Sequence, residues 1–303
     1  MVNQKGGCGK TTTAINTAAA FAMLGRRVLL IDLDPQAHTT IGLGYDPDAQ
    51  VRTIYDVFIR PGISLSQGVI HTNVSLLDLS PCNVLLASVE LELAGVAGKE
   101  LTLARGLQTV RDKYDIVVID CPPSLGVLTL NALVTSTDVL VPVQVHYYAL
   151  EGLKRLLETI RIIRERFHPL SVENIGLLLT FVEDRTIFSR QIQQQMREIF
   201  DGRVFNTVIH RNARITEAPS AGESVLTYAP GSRGAAEYKA LAAEILDTTS
   251  PSDELSPTGQ LRRGLQKVLS DIFAGVWIPP SQSEHPAGTP EKTQGNEQHL
   301  EGT

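Results

Sequence analysis

The sequence has no apolar stretch approaching the roughly 18 residues that cross a bilayer, so no membrane-spanning helix is expected. It shows no basic-then-apolar leader, which argues against secretion. Cysteine is scarce: Cys8, Cys82 and Cys121 are the only three, and no two form a CxxC pair. That supply fits a reducing cytoplasm and excludes the usual zinc-site spacing. Positive charge is not in excess. The formal net charge of −6 excludes a protein that coats nucleic acid with its whole surface, yet leaves room for a local basic patch. No internal repeat is present.

What remains is ordinary for a globular protein: 303 residues, 43% hydrophobic and 20% charged, enough for one large domain or a domain with an appendage. β-Branched apolar runs recur at Val28–Ile31, Val74–Leu79, Ile116–Ile119, Val139–Val143 and Ile175–Leu179. Helical periods lie between them, as at Ala14–Leu24 and at Leu153–Phe167, where Leu153, Leu156, Leu157, Ile160, Ile163 and Phe167 share one face. Strands alternating with amphipathic helices predict an α/β fold with a mostly parallel sheet, and such sheets take ligands at the carboxyl ends of their strands.

Composition changes near residue 248. Residues 249–303 hold six of the sixteen prolines, four basic and seven acidic residues, and few large apolar ones, so a mostly disordered tail is expected there. A helically spaced apolar island at about 261–277 interrupts it.

Residues 5–12 read Lys-Gly-Gly-Cys-Gly-Lys-Thr-Thr and open directly into a helical run. Gly6, Gly7 and Gly9 let the backbone turn its N–H groups inward around anionic oxygens, with the N–H of Cys8 among them. The helix behind adds its positive end. Lys10 can reach the β- and γ-phosphates of a nucleotide, the Thr11 hydroxyl can ligate Mg²⁺, and Thr12 completes the loop. The ordinary phosphate-loop pattern needs glycine at Gln4, and a second lysine, Lys5, stands beside that position. This is the deviant Walker A pattern, KGGxGKT, and it resembles the family of ParA, Soj, MinD and the nitrogenase iron protein. The resemblance implies a P-loop NTPase-like fold, an ATPase, and a role for Lys5 on the nucleotide of the other subunit in a homodimer.

Two strands end in acids. Val28–Ile31 runs into Asp32-Leu33-Asp34-Pro35-Gln36, and Ile116–Ile119 into Asp120-Cys121-Pro122-Pro123-Ser124. Phosphoryl transfer to water needs an oriented nucleophile, a metal and charge compensation. Asp34 is assigned to the attacking water and the Mg²⁺ site, Asp120 to the Mg²⁺ shell, and Asp32 to supporting the metal site. With Lys5 and Lys10, Asp34 makes the expected catalytic set. DxDPQ and DxPPS also resemble this family's A′ and Walker B motifs.

The resemblance covers nearly all of residues 1–247. Pro142-Val143-Gln144, Tyr147–Gly152, Val208-Ile209 and Glu217-Ala218-Pro219-Ser220 look like the chromosomal Soj branch. That branch implies Pro219 near the adenine, sequence-independent DNA binding through Arg185, Arg211 and Arg214 on the ATP-bound dimer, stimulation of slow hydrolysis by a ParB-type partner, and a cytoplasmic, nucleoid-associated location. Relatives carry a full apolar strand before the loop where Met1-Val2-Asn3 stand, so a shortened first strand is expected. His146 lies where relatives often carry an acidic or other polar residue, and a surface or packing role is expected for it.

A MinD-like or cargo-positioning ATPase would use the apolar face of the 261–277 island on a membrane or a protein surface. An iron–sulfur electron carrier needs cysteines spaced to share a cluster, and Cys82 and Cys121 are not so placed.

Overall fold

A computed structural model describes residues 1–145, 149–167, 172–183, 186–200 and 202–249. These belong to one compact unit, Met1–Asp253; the second unit, with the 261–277 island, lies outside the described residues, as do His146 and Arg185.

Six strands form among the described residues: β1 (Val28–Asp32), β2 (Ile70–His71), β3 (Leu77–Ser80), β4 (Ile116–Asp120), β5 (Asp138–Gln144) and β6 (Asn174–Thr180). Four make a sheet in the order β2-β3-β1-β4, parallel except for β2, and β5 pairs in parallel with β6. The first residues join the two pieces. Val2 N–H donates to Leu140 O, Cys121 N–H donates to Met1 O, and Asn3 Nδ2 donates to Pro142 O.

β1 is buried along its whole length, and most of β5 and β6 is buried too, the pattern of a parallel sheet covered on both sides. Val28, Leu30, Leu77, Leu79, Val118, Leu140 and Leu178 meet α1 (Lys10–Met23), whose alanines allow close approach. The helix Arg233–Thr249 covers α1 with Ala235, Tyr238 and Leu241. The helices Ile54–Ile59, Thr102–Gln108, Val127–Thr135 and Ala149–Phe167 contact one another in succession as a second layer.

The apolar runs read from the sequence match five of these strands, with one shift. The strand expected from Val74 starts at Leu77, because Leu76 takes a φ of 65°, which breaks extended chain. In the helix Ala149–Phe167 the residues Leu153, Leu156, Leu157, Ile160 and Ile163 are all buried, as their spacing requires.

Candidate functional site

The loop that starts at Lys5 sits at the carboxyl ends of the strands and runs into the first turn of α1, which holds Lys10, Thr11 and Thr12. Its shape depends on Gly7 and Gly9, at φ of 70° and 91°, where an L side chain is strained. Lys5, Gly6 and Gly7 are exposed, whereas Cys8 and Lys10 are buried. Thr180, at the tip of β6, grips the loop by donating its hydroxyl to Cys8 O at 2.9 Å. Lys10 Nζ donates to Lys5 O at 3.3 Å, so the buried ammonium lies inside the turn. Cys8 is fully buried, and burial pushes its thiol up more than nearby Lys10 lowers it, which suits a packing position.

The acidic strand ends come together because β1 and β4 are neighbours in register, Asp32 opposite Asp120. Their carboxylates do different things. Asp32 Oδ2 accepts from Thr40 N–H at 2.8 Å and from the Thr40 hydroxyl at 2.7 Å, and Oδ1 accepts from Asp34 N–H at 3.3 Å. Asp32 therefore fixes the turn that carries Asp34. Burial, then repulsion from Asp120, pushes its carboxyl up to about 7. Asp120 Oδ2 accepts from the hydroxyls of Thr11 at 2.7 Å and Thr39 at 2.8 Å. Burial also raises the Asp120 carboxyl above the usual range. Asp34 is 8% exposed, and its Oδ1 accepts from Gln36 N–H at 3.0 Å.

Asp120 Oδ1 is buried and has no hydrogen-bond partner among the described residues. A buried carboxylate oxygen left without a donor is expensive unless a cation or water meets it. With Thr11 Oγ1 on the other oxygen of the same carboxylate and Asp34 close enough to raise it, the donor set is all oxygen, which fits Mg²⁺. No group of three or more His, Cys, Asp or Glu side chains suited to a metal occurs among the described residues. Mg²⁺ needs none, since it takes one or two carboxylates, substrate phosphates and water.

Pro219 lies in the turn Ala218–Ala221, next to the short helix His38–Gly42 that follows Asp34: a methyl at Gly42 would sit 3.9 Å from its Cβ. Two residues on, Gly44 and Gly222 touch backbone to backbone, both at positive φ. Asn16 Oδ1 accepts from Val225 N–H at 2.7 Å and so ties the segment after this turn to α1. Arg211 and Arg214 are exposed, paired with Glu183 at 3.0 Å and Glu217 at 2.7 Å. Arg211 also lies over the Phe181 ring, 5.9 Å from its centroid, and the edge of that ring is 3.5 Å from where a Gly9 Cβ would stand.

Sequence reasoning missed Thr39, Thr40, Thr180 and Asn16. Their only signal was the clustering of Thr39 and Thr40 just after DxDPQ. Isolated hydroxyls and amides carry no spacing from which a distant partner can be read.

A family model described as an AAA domain matches residues 1–172. The chain is 43% identical over 246 residues to the sporulation initiation inhibitor protein Soj of Bacillus subtilis, covering 81% of this chain and 96% of that protein. It is 41% identical over 252 residues to the chromosome partitioning protein ParA of Myxococcus xanthus, covering 82% and 87% respectively. A crystal structure titled cobyrinic acid a,c-diamide synthase, from Mycobacterium smegmatis and bound to an ATP analog and magnesium, superposes with a TM-score of 0.72 at 34% identity, covering 84% of this chain and 96% of that one.

Proposed function

The chain belongs to the Soj/ParA family of partitioning ATPases, and from that membership we propose that it is a DNA-segregation ATPase that dimerises around two ATP molecules. Lys10, Thr11 and the loop N–H groups bind the triphosphate of their own subunit. Asp120 and Thr11 would hold Mg²⁺, with Asp34 beside them; bound there, the ion would neutralise charge on the phosphates. Asp34 orients the attacking water, and Asp32 keeps the Asp34 turn in place through Thr40. Lys5 crosses to the nucleotide of the second subunit.

One observation supports this division of labour above others. Lys10 is buried within the loop while Lys5, five residues earlier, is exposed at its front. Two lysines on one loop, one inside and one outward, suit two different nucleotides.

Arg214 and Arg211, joined by Arg185, are the proposed DNA contacts. Exposed ion pairs such as Arg214–Glu217 contribute little, so exchanging a carboxylate for a DNA phosphate is cheap, and two subunits double the patch. A ParB-type partner is the proposed trigger of hydrolysis.

The test is a gel shift on unrelated duplex DNA with ATP, with ADP and with no nucleotide. Retardation with ATP alone, lost in Arg214→Glu while ATP binding persists, supports the proposal. Equal retardation in all three conditions, or none in any, contradicts it.

A further inference from the structure

Lys5 is held at both ends by the same strand. Its backbone N–H donates to Asn3 Oδ1 at 3.0 Å, and Asn3 Nδ2 in turn donates to Pro142 O at 2.7 Å. Its ammonium donates to Gln144 Oε1 at 3.1 Å. Pro142 and Gln144 are the third-last and last residues of β5, and Gln144 is register-paired with Thr180, which grips Cys8 O. The exposed lysine therefore lies along the tip of its own sheet, beside the strand end that shapes the phosphate loop.

This bears on the proposed crossing. An ammonium donating to Gln144 Oε1 is committed to its own subunit, and it must leave that acceptor to reach a phosphate elsewhere. The acceptor is a neutral amide at a half-buried position. A carboxylate there would form an ion pair; an apolar side chain would offer nothing. A charged donor on a neutral, solvent-touched acceptor gives a weak hold that orders the side chain and yields to a triphosphate.

We propose that Gln144 is a positioning residue: it holds Lys5 on its own subunit, and releasing that contact sets the protein concentration at which ATP drives dimerisation. The inference rests on the reading that Lys5 crosses to the partner's nucleotide. Each dimer breaks two such contacts, so a per-site factor enters the dimer dissociation constant squared.

The test uses the full chain in sedimentation equilibrium with a non-hydrolysable ATP analogue and Mg²⁺, comparing wild type, Gln144→Ala, Gln144→Glu and Lys5→Ala. A per-site factor of about 3 predicts a dimer Kd about tenfold lower in Gln144→Ala. Gln144→Glu should raise the Kd by a similar factor, and the increase should shrink in ~0.5 M salt. Binding of a fluorescent ATP analogue at monomer concentrations should stay within about twofold of wild type in both variants. A second readout needs no dimer: acetic anhydride labelling of Lys5 in the monomer should rise in Gln144→Ala. An unchanged or higher Kd in Gln144→Ala, with wild type dimerising and Lys5→Ala failing to, overturns the role of Gln144 alone. A Lys5→Ala variant that dimerises like wild type removes the crossing itself, and the inference with it.

Discussion

Asp32 and Asp120 face each other across adjacent parallel strands, both fully buried, yet only Asp120 keeps an oxygen without a donor. The three contacts to Asp32 all come from the turn and helix that follow it; those to Asp120 come from the phosphate-loop threonine and from Thr39. One carboxylate shapes the turn that follows it, and the other keeps an oxygen open for the proposed cation.

The Asp32 carboxyl has a pH signature. Burial raises it to about 7 in the folded chain, against an unfolded value near 3.8. The folded state therefore holds its proton after the unfolded state has lost it. The stability this gives is complete below about pH 4 and is lost as pH climbs towards 7. Thermal melts of the nucleotide-free protein in chelator, from pH 5 to 8, should show a falling Tm, and Asp32→Asn should flatten the fall. An equal slope in that variant would assign the dependence to other groups.

Thr11 joins the phosphate loop to Asp120 at 2.7 Å. Removing a hydroxyl bonded to a carboxylate, and with it a proposed metal ligand, costs about 1.5–3 kcal/mol. Thr11→Ala should weaken ATP binding about tenfold or more in Mg²⁺ and about twofold or less in chelator. Titration of a fluorescent ATP analogue under both conditions checks this, and equal losses in the two would count against the metal assignment.

Asp34→Ala should keep ATP affinity within about threefold and abolish turnover, because the proposed role of Asp34 is to orient the attacking water and not to grip the triphosphate. Lys10→Ala should lose ATP binding altogether. Phosphate-release assays beside nucleotide titrations separate the two, and residual hydrolysis near the wild-type rate in Asp34→Ala would remove it from the catalytic set.

Gly44 and Gly222 fasten the helix after Asp34 to the turn carrying Pro219. A Cβ on Gly222 would stand 2.7 Å from Gly44 Cα, at a φ of 71°. Gly222→Ala should cost about 2 kcal/mol or more in urea unfolding, through strain and clash together. Gly231→Ala meets nothing within 4 Å and serves as a control, expected within about 0.5 kcal/mol of wild type.

Much of this site could be read from the chain because the signals were local. The five apolar runs became strands because parallel strands covered on both faces are largely apolar, Asp78 in β3 being an exception. Asp32 and Asp120 ended their runs, and register alone then made them neighbours. The role of Asp32 was less legible: expected near the metal, its carboxylate is occupied by Thr40 and the Asp34 N–H, and only the folded turn reveals that. Gln144 gave no sign of holding Lys5, since 139 residues separate them. The contact between Gly44 and Gly222 is likewise made by tertiary placement, and neither glycine belongs to a motif.

The crossing of Lys5 is tested most directly by the mass of the protein in solution. Sedimentation equilibrium with Mg²⁺ and a non-hydrolysable ATP analogue should give twice the 32.9 kDa of one chain for wild type, and a single chain with ADP or in Lys5→Ala. A wild-type protein that stays at 32.9 kDa when saturated with the analogue would contradict the account.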